Sequence, residues 1–112
     1  MPDSSMELLK GTLDILILKT LSAGALHGYG ISRYLREATD DTFQVQEGAL
    51  YPALRRLEAR GLLESRWDST DTGRDAKFYT LTKDGEAELE RGIQSWKSYV
   101  AAMAQVLGGA RA

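Results

Sequence analysis

Apolar positions recur at helical spacing in three short stretches of the chain, then alternate at strand spacing, then return to helical spacing over a long last stretch. In residues 12–22, Leu13, Leu16, Ile17 and Leu21 form one stripe and Ile15 and Leu18 lie off it. A run this short also suits a buried strand, but its length and the polar Asp14 and Lys19 favour a helix. A helix apolar on two sides needs two partners. One is the domain's own core, and a second chain is the candidate for the other. Residues 23–28, with two glycines, read as a break. A second helix follows over about 28–39, with Ile31, Tyr34, Leu35 and Ala38 at i, i+3, i+4 and i+7. The polar connector 40–47 has room for a very short strand around Phe43 and Val45. A third helix runs from about Gly48 to Arg60 on the stripe Leu50, Ala53, Leu54 and Leu57. Pro52 has no N–H and suits only a first turn, which puts the helix start near Gly48 or Ala49. Gly61 is a natural stop.

Residues 62–67 and 76–81 alternate as strands, with Leu63 and Trp67 on one face of the first, and the polar run 68–75 makes the hairpin tip. Thr82 is a fitting N-cap for a last helix that reaches about Leu107, with Asp84 and Glu86 favouring its dipole. At 1.5 Å per residue that helix is about 39 Å long, more than so small a domain can cover. The order helix, helix, helix, strand, strand, long helix predicts a mainly α fold with a small β-hairpin. It is a winged helix-turn-helix domain over residues 1–83, with 1–11 a flexible lead. Residues 84–112 form a C-terminal dimerisation helix and tail. In that geometry the third helix enters a DNA major groove. Winged helices also bind proteins, so the fold alone supplies only an expectation.

Composition narrows the chemistry. The 112 residues suit one domain, and a net charge of −2 argues against a sequence-blind, generally basic nucleic-acid binder. With no cysteine and a single histidine, His27, there is neither a disulfide nor the ligand set of a zinc site. His27 reads as ordering the turn before the second helix. No nucleophile is paired with a base and no glycine-rich loop has phosphate-cradling spacing, so no catalytic residue, metal or cofactor is expected. No apolar run approaches a membrane span and no signal-peptide pattern is present, so a cytoplasmic protein is expected.

Several blocks carry a family resemblance. They are residues 9–18 (Leu9-Lys10-Gly11-Thr12-Leu13-Asp14-Ile15-Leu16-Ile17-Leu18), His27-Gly28-Tyr29-Gly30-Ile31, and 47–54 (Glu47-Gly48-Ala49-Leu50-Tyr51-Pro52-Ala53-Leu54). To these are added 56–62 and Phe78-Tyr79-Thr80-Leu81-Thr82 followed by Gly85. In this order and spacing, over about residues 8–86, they resemble the PadR family of bacterial transcriptional regulators, in its short subgroup with a single C-terminal helix. The resemblance implies a homodimeric winged-helix repressor that is released from DNA by a small molecule or other signal. It also implies a phosphate contact at Tyr29.

The face of the third helix opposite its core stripe carries Gly48, Tyr51, Pro52 and Arg55. Gly48 and Ala49 are small enough for close approach to DNA, and the helix N-terminus offers N–H groups to phosphate. Tyr51 suits phosphate or a thymine methyl, Arg55 phosphate or a guanine edge, and Gln46 adenine or phosphate. Packing for Tyr51 and a solvated face for Arg55 are the plain alternatives. On the wing, Arg74 and Lys77 are the candidate contacts, though Asp68, Asp71 and Asp75 flank them. Residues 47–83 hold seven Lys/Arg against six Asp/Glu, a net +1, so a DNA-binding surface has to segregate its charges.

Leu89, Ile93, Trp96, Val100, Met103 and Leu107 are spaced 4, 3, 4, 3, 4, an a/d seam of under three heptads. A seam this short calls for a second surface, and Ile15 and Leu18 of the first helix are the expected one. A dimer would place two recognition helices about 34 Å apart over a pseudo-palindromic operator. Trp96 and Tyr99, with Met103 nearby, make a candidate site for a small planar apolar effector; plain packing is the alternative. The rival readings are a winged-helix protein-interaction module and a ligand-binding sensor without operator specificity.

Overall fold

The structure is a computed structural model, and it describes residues 11–109. The expected flexible lead therefore lies, apart from Gly11, outside the described residues, as does the end of the tail. In chain order the elements are α1 (Thr12–Leu21), β1 (Leu26–His27), α2 (Gly28–Ala38), α3 (Glu47–Ala59), β2 (Leu63–Ser69), β3 (Asp75–Leu81) and α4 (Lys83–Gly108). Three short helices and a hairpin are followed by one long helix, as the periodicity predicts.

The core is made where the apolar stripes meet. Ile17, Leu18 and Leu21 of α1, Ile31 and Leu35 of α2, and Leu50, Ala53, Leu54 and Leu57 of α3 are buried together with Leu62, Leu63, Tyr79 and Leu89. Burying each Leu or Ile side chain contributes about 1.5–3 kcal/mol, so this cluster is the principal source of stability. Helix α1 is central and touches α2, α3, α4 and β3.

That centrality corrects the expectation for α1. Leu18 is 2% exposed, inside the chain's own core. Ile15 is partly buried and packs against α4 at Gly92, where a Cβ would come within 3.0 Å of Ile15 Cδ1. The second apolar side of α1 thus packs against the same chain's α4. Leu89, 8% exposed, and Ile93 likewise belong to this intramolecular packing. The first turns of α4 are therefore part of the core.

Two local corrections follow from hydrogen bonding. The segment read as a break contains β1, which pairs antiparallel with β3 through Leu26↔Tyr79 and His27↔Phe78 and makes the hairpin a three-stranded sheet of order β1-β3-β2. Two residues are too few for alternation to be visible. The connector before α3 holds only an isolated bridge residue, Phe43, and turns through Asp40 and Asp41, both at positive φ. In α2 the expected stripe is narrower than the sequence suggests, because Tyr34 and Ala38 are exposed.

The ends of the elements are capped by identifiable groups. His27 Nδ1 accepts the Gly30 N–H at 2.9 Å and caps α2, the ordering role expected of it. Helix α3 ends at Gly61 (φ +77°), with Gly61 N–H to Glu58 O and Leu62 N–H to Leu57 O, a Schellman closure. Thr82 caps α4 by accepting the Gly85 N–H at 3.0 Å, and donates its hydroxyl to Gly61 O at 2.7 Å. Beyond its first turns α4 projects from the domain. The chain measures 62 × 40 × 21 Å with a radius of gyration of 16.1 Å, against about 13 Å for a compact chain of this length.

Candidate nucleic-acid interface

Helix α3 begins at Glu47, one residue earlier than Pro52 seemed to allow. Pro52 therefore lies in the second turn and gives no N–H to the Gly48 carbonyl, the acceptor four residues back. Gly48 is exposed, so that carbonyl is open to solvent. Gln46 is the N-cap residue but makes no side-chain cap bond, so its amide points free of the helix end. Gln46, Gly48, Ala49, Tyr51, Pro52 and Arg55 are all exposed, while Leu50, Ala53, Leu54 and Leu57 are buried. At about 100° per residue Gly48, Tyr51, Pro52 and Arg55 fall on the side of α3 opposite the buried stripe, Ala49 at its margin and Gln46 at the N-cap.

Tyr51 links that face to α2. Its ring lies across Gly28, the first residue of α2, so closely that a Cβ on Gly28 would sit 2.7 Å from the Tyr51 hydroxyl oxygen. Tyr51 is 37% exposed: one side of the ring packs and the other is open. Tyr29, the next residue after Gly28, is 64% exposed. Tyr29 and Tyr51 therefore flank the N-terminus of α2, whose Gly30 N–H is taken by His27 Nδ1.

The sheet is fixed to α3 through Glu58. Its Oε2 accepts the Ser65 hydroxyl at 2.5 Å and its Oε1 lies 3.5 Å from Lys77 Nζ. Lys77 also sits 5.8 Å from the centre of the Tyr79 ring. Burial raises the pKa of the Tyr79 phenol above the ordinary tyrosine value, with Glu58 and Tyr51 adding to that and Lys77 and Arg55 opposing it. Lys77 is thus a strut between wing and helix more than a free cation. Arg74 is exposed at the hairpin tip, which is closed by Thr70 N–H to Arg74 O and by Gly73 at φ +82°. Arg56 is drawn away from the interface by Asp14, at 2.6 Å. Such a half-exposed pair is worth at most about 1 kcal/mol, but it directs the charge.

Sequence reasoning passed over Trp67. The alternation set it on the face of Leu63, which is buried, yet Trp67 lies beyond the end of the core and is 70% exposed. The signal available was its position two residues past Ser65, next to a run of polar residues, where a strand runs out of partners.

The outer half of α4 is a separate feature. Trp96, Val100, Met103 and Leu107 are 42–75% exposed, and Tyr99 stacks on Trp96 at 5.9 Å between ring centres. Beside Trp96 and Tyr99 a groove of about 360 Å³ is lined also by Gly11, Thr12, Ile15, Gly92 and Ser95. Among the described residues no group of His, Asp or Glu is placed to hold a metal ion, and no helix is long and apolar enough to cross a membrane.

The chain is similar to known proteins over most of this framework. Residues 17–91 match the family described as "Transcriptional regulator PadR-like family". The negative transcriptional regulator PadR of Bacillus subtilis is 34% identical over 77 residues, 69% of this chain and 42% of that longer protein. Among solved structures, a PadR family transcription regulator from Clostridium difficile is 33% identical with a TM-score of 0.76, over 87% of this chain and 99% of that one. A transcriptional regulator from Clostridium thermocellum superposes with a TM-score of 0.81 at 28% identity, over 88% and 95%.

Proposed function

The chain belongs to the PadR-like family of transcriptional regulators, winged-helix DNA-binding proteins and not enzymes, and from that premise we propose a homodimeric repressor that reads a pseudo-palindromic operator. The observation that carries the reading is the combination, in one chain, of an open α3 face bearing Tyr51 and Arg55 with an unpartnered apolar half of α4. The first suits a groove and the second suits a copy of itself. Tyr29, Gln46, Gly48, Ala49, Tyr51, Pro52 and Arg55 make the DNA contacts, with Arg74 reaching the flank. Trp96, Val100, Met103 and Leu107 make the subunit contact. This is the exposed remainder of the expected seam, without Ile15, Leu18, Leu89 and Ile93. Repression is supported by the printed role of the Bacillus subtilis relative, a negative regulator. The groove at Trp96 and Tyr99 is the site for a small planar apolar effector: Ile15 lines it beside the two aromatic rings, and it lies against the helix that sets the spacing of the two DNA-reading units. The protein acts where the DNA is, in the cytoplasm.

The test is an anisotropy titration with duplex from just upstream of the protein's own gene, against scrambled duplex, at two salt concentrations, alongside sedimentation of the free protein. Sequence-dependent binding by a dimer is expected, with affinity falling as salt rises. A monomer, or equal binding to both duplexes that persists with fragments selected from the whole genome, overturns the reading in favour of a protein-interaction module.

A further inference from the structure

We propose that Trp67 is the wing's principal DNA contact, seated in the minor groove that flanks the major groove read by α3. This rests on the DNA-binding reading above. Trp67 is 70% exposed, among the most open of the large apolar side chains described. It pairs across the hairpin with Lys77, one step beyond the Ser65↔Tyr79 pair, so all four side chains project from the same face of the sheet. That face is turned toward α3, because Glu58 of α3 holds both Ser65 and Lys77 from it. The indole is therefore presented on the recognition-helix side of the wing, beside Ser65 and Lys77, whose contacts with Glu58 fix the strands to that helix.

The chemistry of the wing favours an aromatic contact over a cationic one. Arg66 pairs with Asp68 at 3.7 Å and Lys77 with Glu58, and Asp71 and Asp75 stand beside the one remaining cation of the tip, Arg74. The wing so offers phosphate little net positive charge. The indole offers a large apolar plate for the deoxyribose walls and a single N–H that makes no hydrogen bond within the described residues. An indole N–H can only donate. The floor of the minor groove presents acceptors at every A·T pair, adenine N3 and thymine O2, so donor and apolar plate are both matched. A wing contact of this kind favours A·T pairs on the flank of the operator.

The test uses a duplex selected from a random-sequence pool by the wild-type protein. The wild-type protein carries Trp67 and Trp96 and the Trp67→Phe variant carries Trp96 alone, so the difference between their fluorescence responses, in blue shift or intensity, as that duplex is added should belong to Trp67. Trp67→Ala should weaken binding about ten-fold and leave the slope of log affinity against log salt unchanged, because an apolar contact releases no counterion. Arg74→Ala should instead lower that slope by about one per cation removed. Trp67→Phe should recover much of the affinity but lose the preference for flanking A·T pairs. Equal fluorescence responses in those two proteins, or wild-type affinity in Trp67→Ala with wild-type melting, overturns the role of Trp67 while the DNA reading stands. A pool from which the wild-type protein enriches nothing overturns both.

Discussion

Gly28→Ala separates folding from DNA binding more cleanly than any substitution on the recognition helix itself. An added Cβ would lie 2.7 Å from Tyr51 Oη and 2.8 Å from its Cε1 and Cζ. Non-bonded carbons prefer about 3.5–4.0 Å, so the tip of the ring must swing by about 1 Å. It can do so at low cost, because its other side faces solvent. Alanine in a helix is also favoured over glycine by about 0.5–1 kcal/mol. The two effects oppose, and the melting free energy should stay within about 1 kcal/mol of wild type. The hydroxyl, however, is moved by more than the whole tolerance of an O–H···O bond, about 2.5–3.0 Å. Losing a hydrogen bond to a charged phosphate costs about 1.5–3 kcal/mol, or roughly 10- to 150-fold in affinity for each half-site. The assay is anisotropy on the selected duplex, with thermal melting as the control. Tyr51→Phe supplies the second arm: if Gly28 acts through Tyr51, the double variant should bind no worse than the worse single one. Wild-type affinity in Gly28→Ala, or full additivity in the double variant, would refute the claim that this glycine seats a DNA-contacting tyrosine.

Gly85→Ala would drive a methyl into the Leu62 carbonyl oxygen and to 2.7 Å from Leu81 Cδ1. Backbone cannot swing aside, so calorimetry should show a loss of about 1–3 kcal/mol, some 4–8 °C of Tm for each kcal/mol; an unaltered Tm would mean that α4 is not docked at this junction. Val100→Asp with Leu107→Asp should yield a folded monomer that no longer binds operator. A dimer surviving in sedimentation would remove the outer half of α4 from the subunit interface. The raised pKa of Tyr79 means that the folded state holds this proton more tightly than the unfolded one. Its contribution is then fully present below about pH 10 and lost as pH rises through the folded value. Absorbance at 295 nm should show a late tyrosinate phase that is missing in Tyr79→Phe.

Periodicity revealed what repeats and missed what does not. The stripes of α2, α3 and α4 were legible because each has one apolar face toward one core. Helix α1 was legible as a helix, but its two apolar sides were compatible with an intramolecular or an intermolecular second partner. Only the structure brings Ile15 against Gly92 of the same chain. Strand β1 escaped because two residues carry no alternation, and its existence depends on backbone pairing with β3, fifty residues away. Pro52 misled by one residue because a helix exposed at Gly48 tolerates an unpaired carbonyl that water can reach. The open face of α3 was readable as the complement of a buried stripe. The fate of each wing cation was not, since Lys77 is committed to Glu58 by a contact across nineteen residues of chain. Trp67 illustrates the same limit from the apolar side: alternation gives the face of a strand, and only the length of the core tells how far along that face burial extends.

The charge problem posed by the sequence is resolved by these pairings. A chain of net charge −2 with only +1 over residues 47–83 has no excess of cations to spend on phosphate. Ion pairing decides which charges remain. Glu58 is consumed by Lys77 and Ser65, Asp14 holds Arg56, and Asp68 holds Arg66. Arg55 and Arg74 enter no ion pair among the described residues, and they stand on α3 and the wing tip, where the proposed reading sets the duplex. Each paired acid is screened by its partner, so its repulsion of phosphate is reduced where it matters. Few net cations imply few released counterions, and hence a shallow salt dependence. In the proposed reading affinity then comes from contacts that do not depend on net charge: the N-terminus of α3, the tyrosine hydroxyls and the indole of Trp67. Such contacts are short-ranged and directional, and they fail when the backbone geometry is wrong. On that reading an acidic winged helix gives up attraction to arbitrary DNA and keeps its binding for duplexes whose shape brings all of these groups into register.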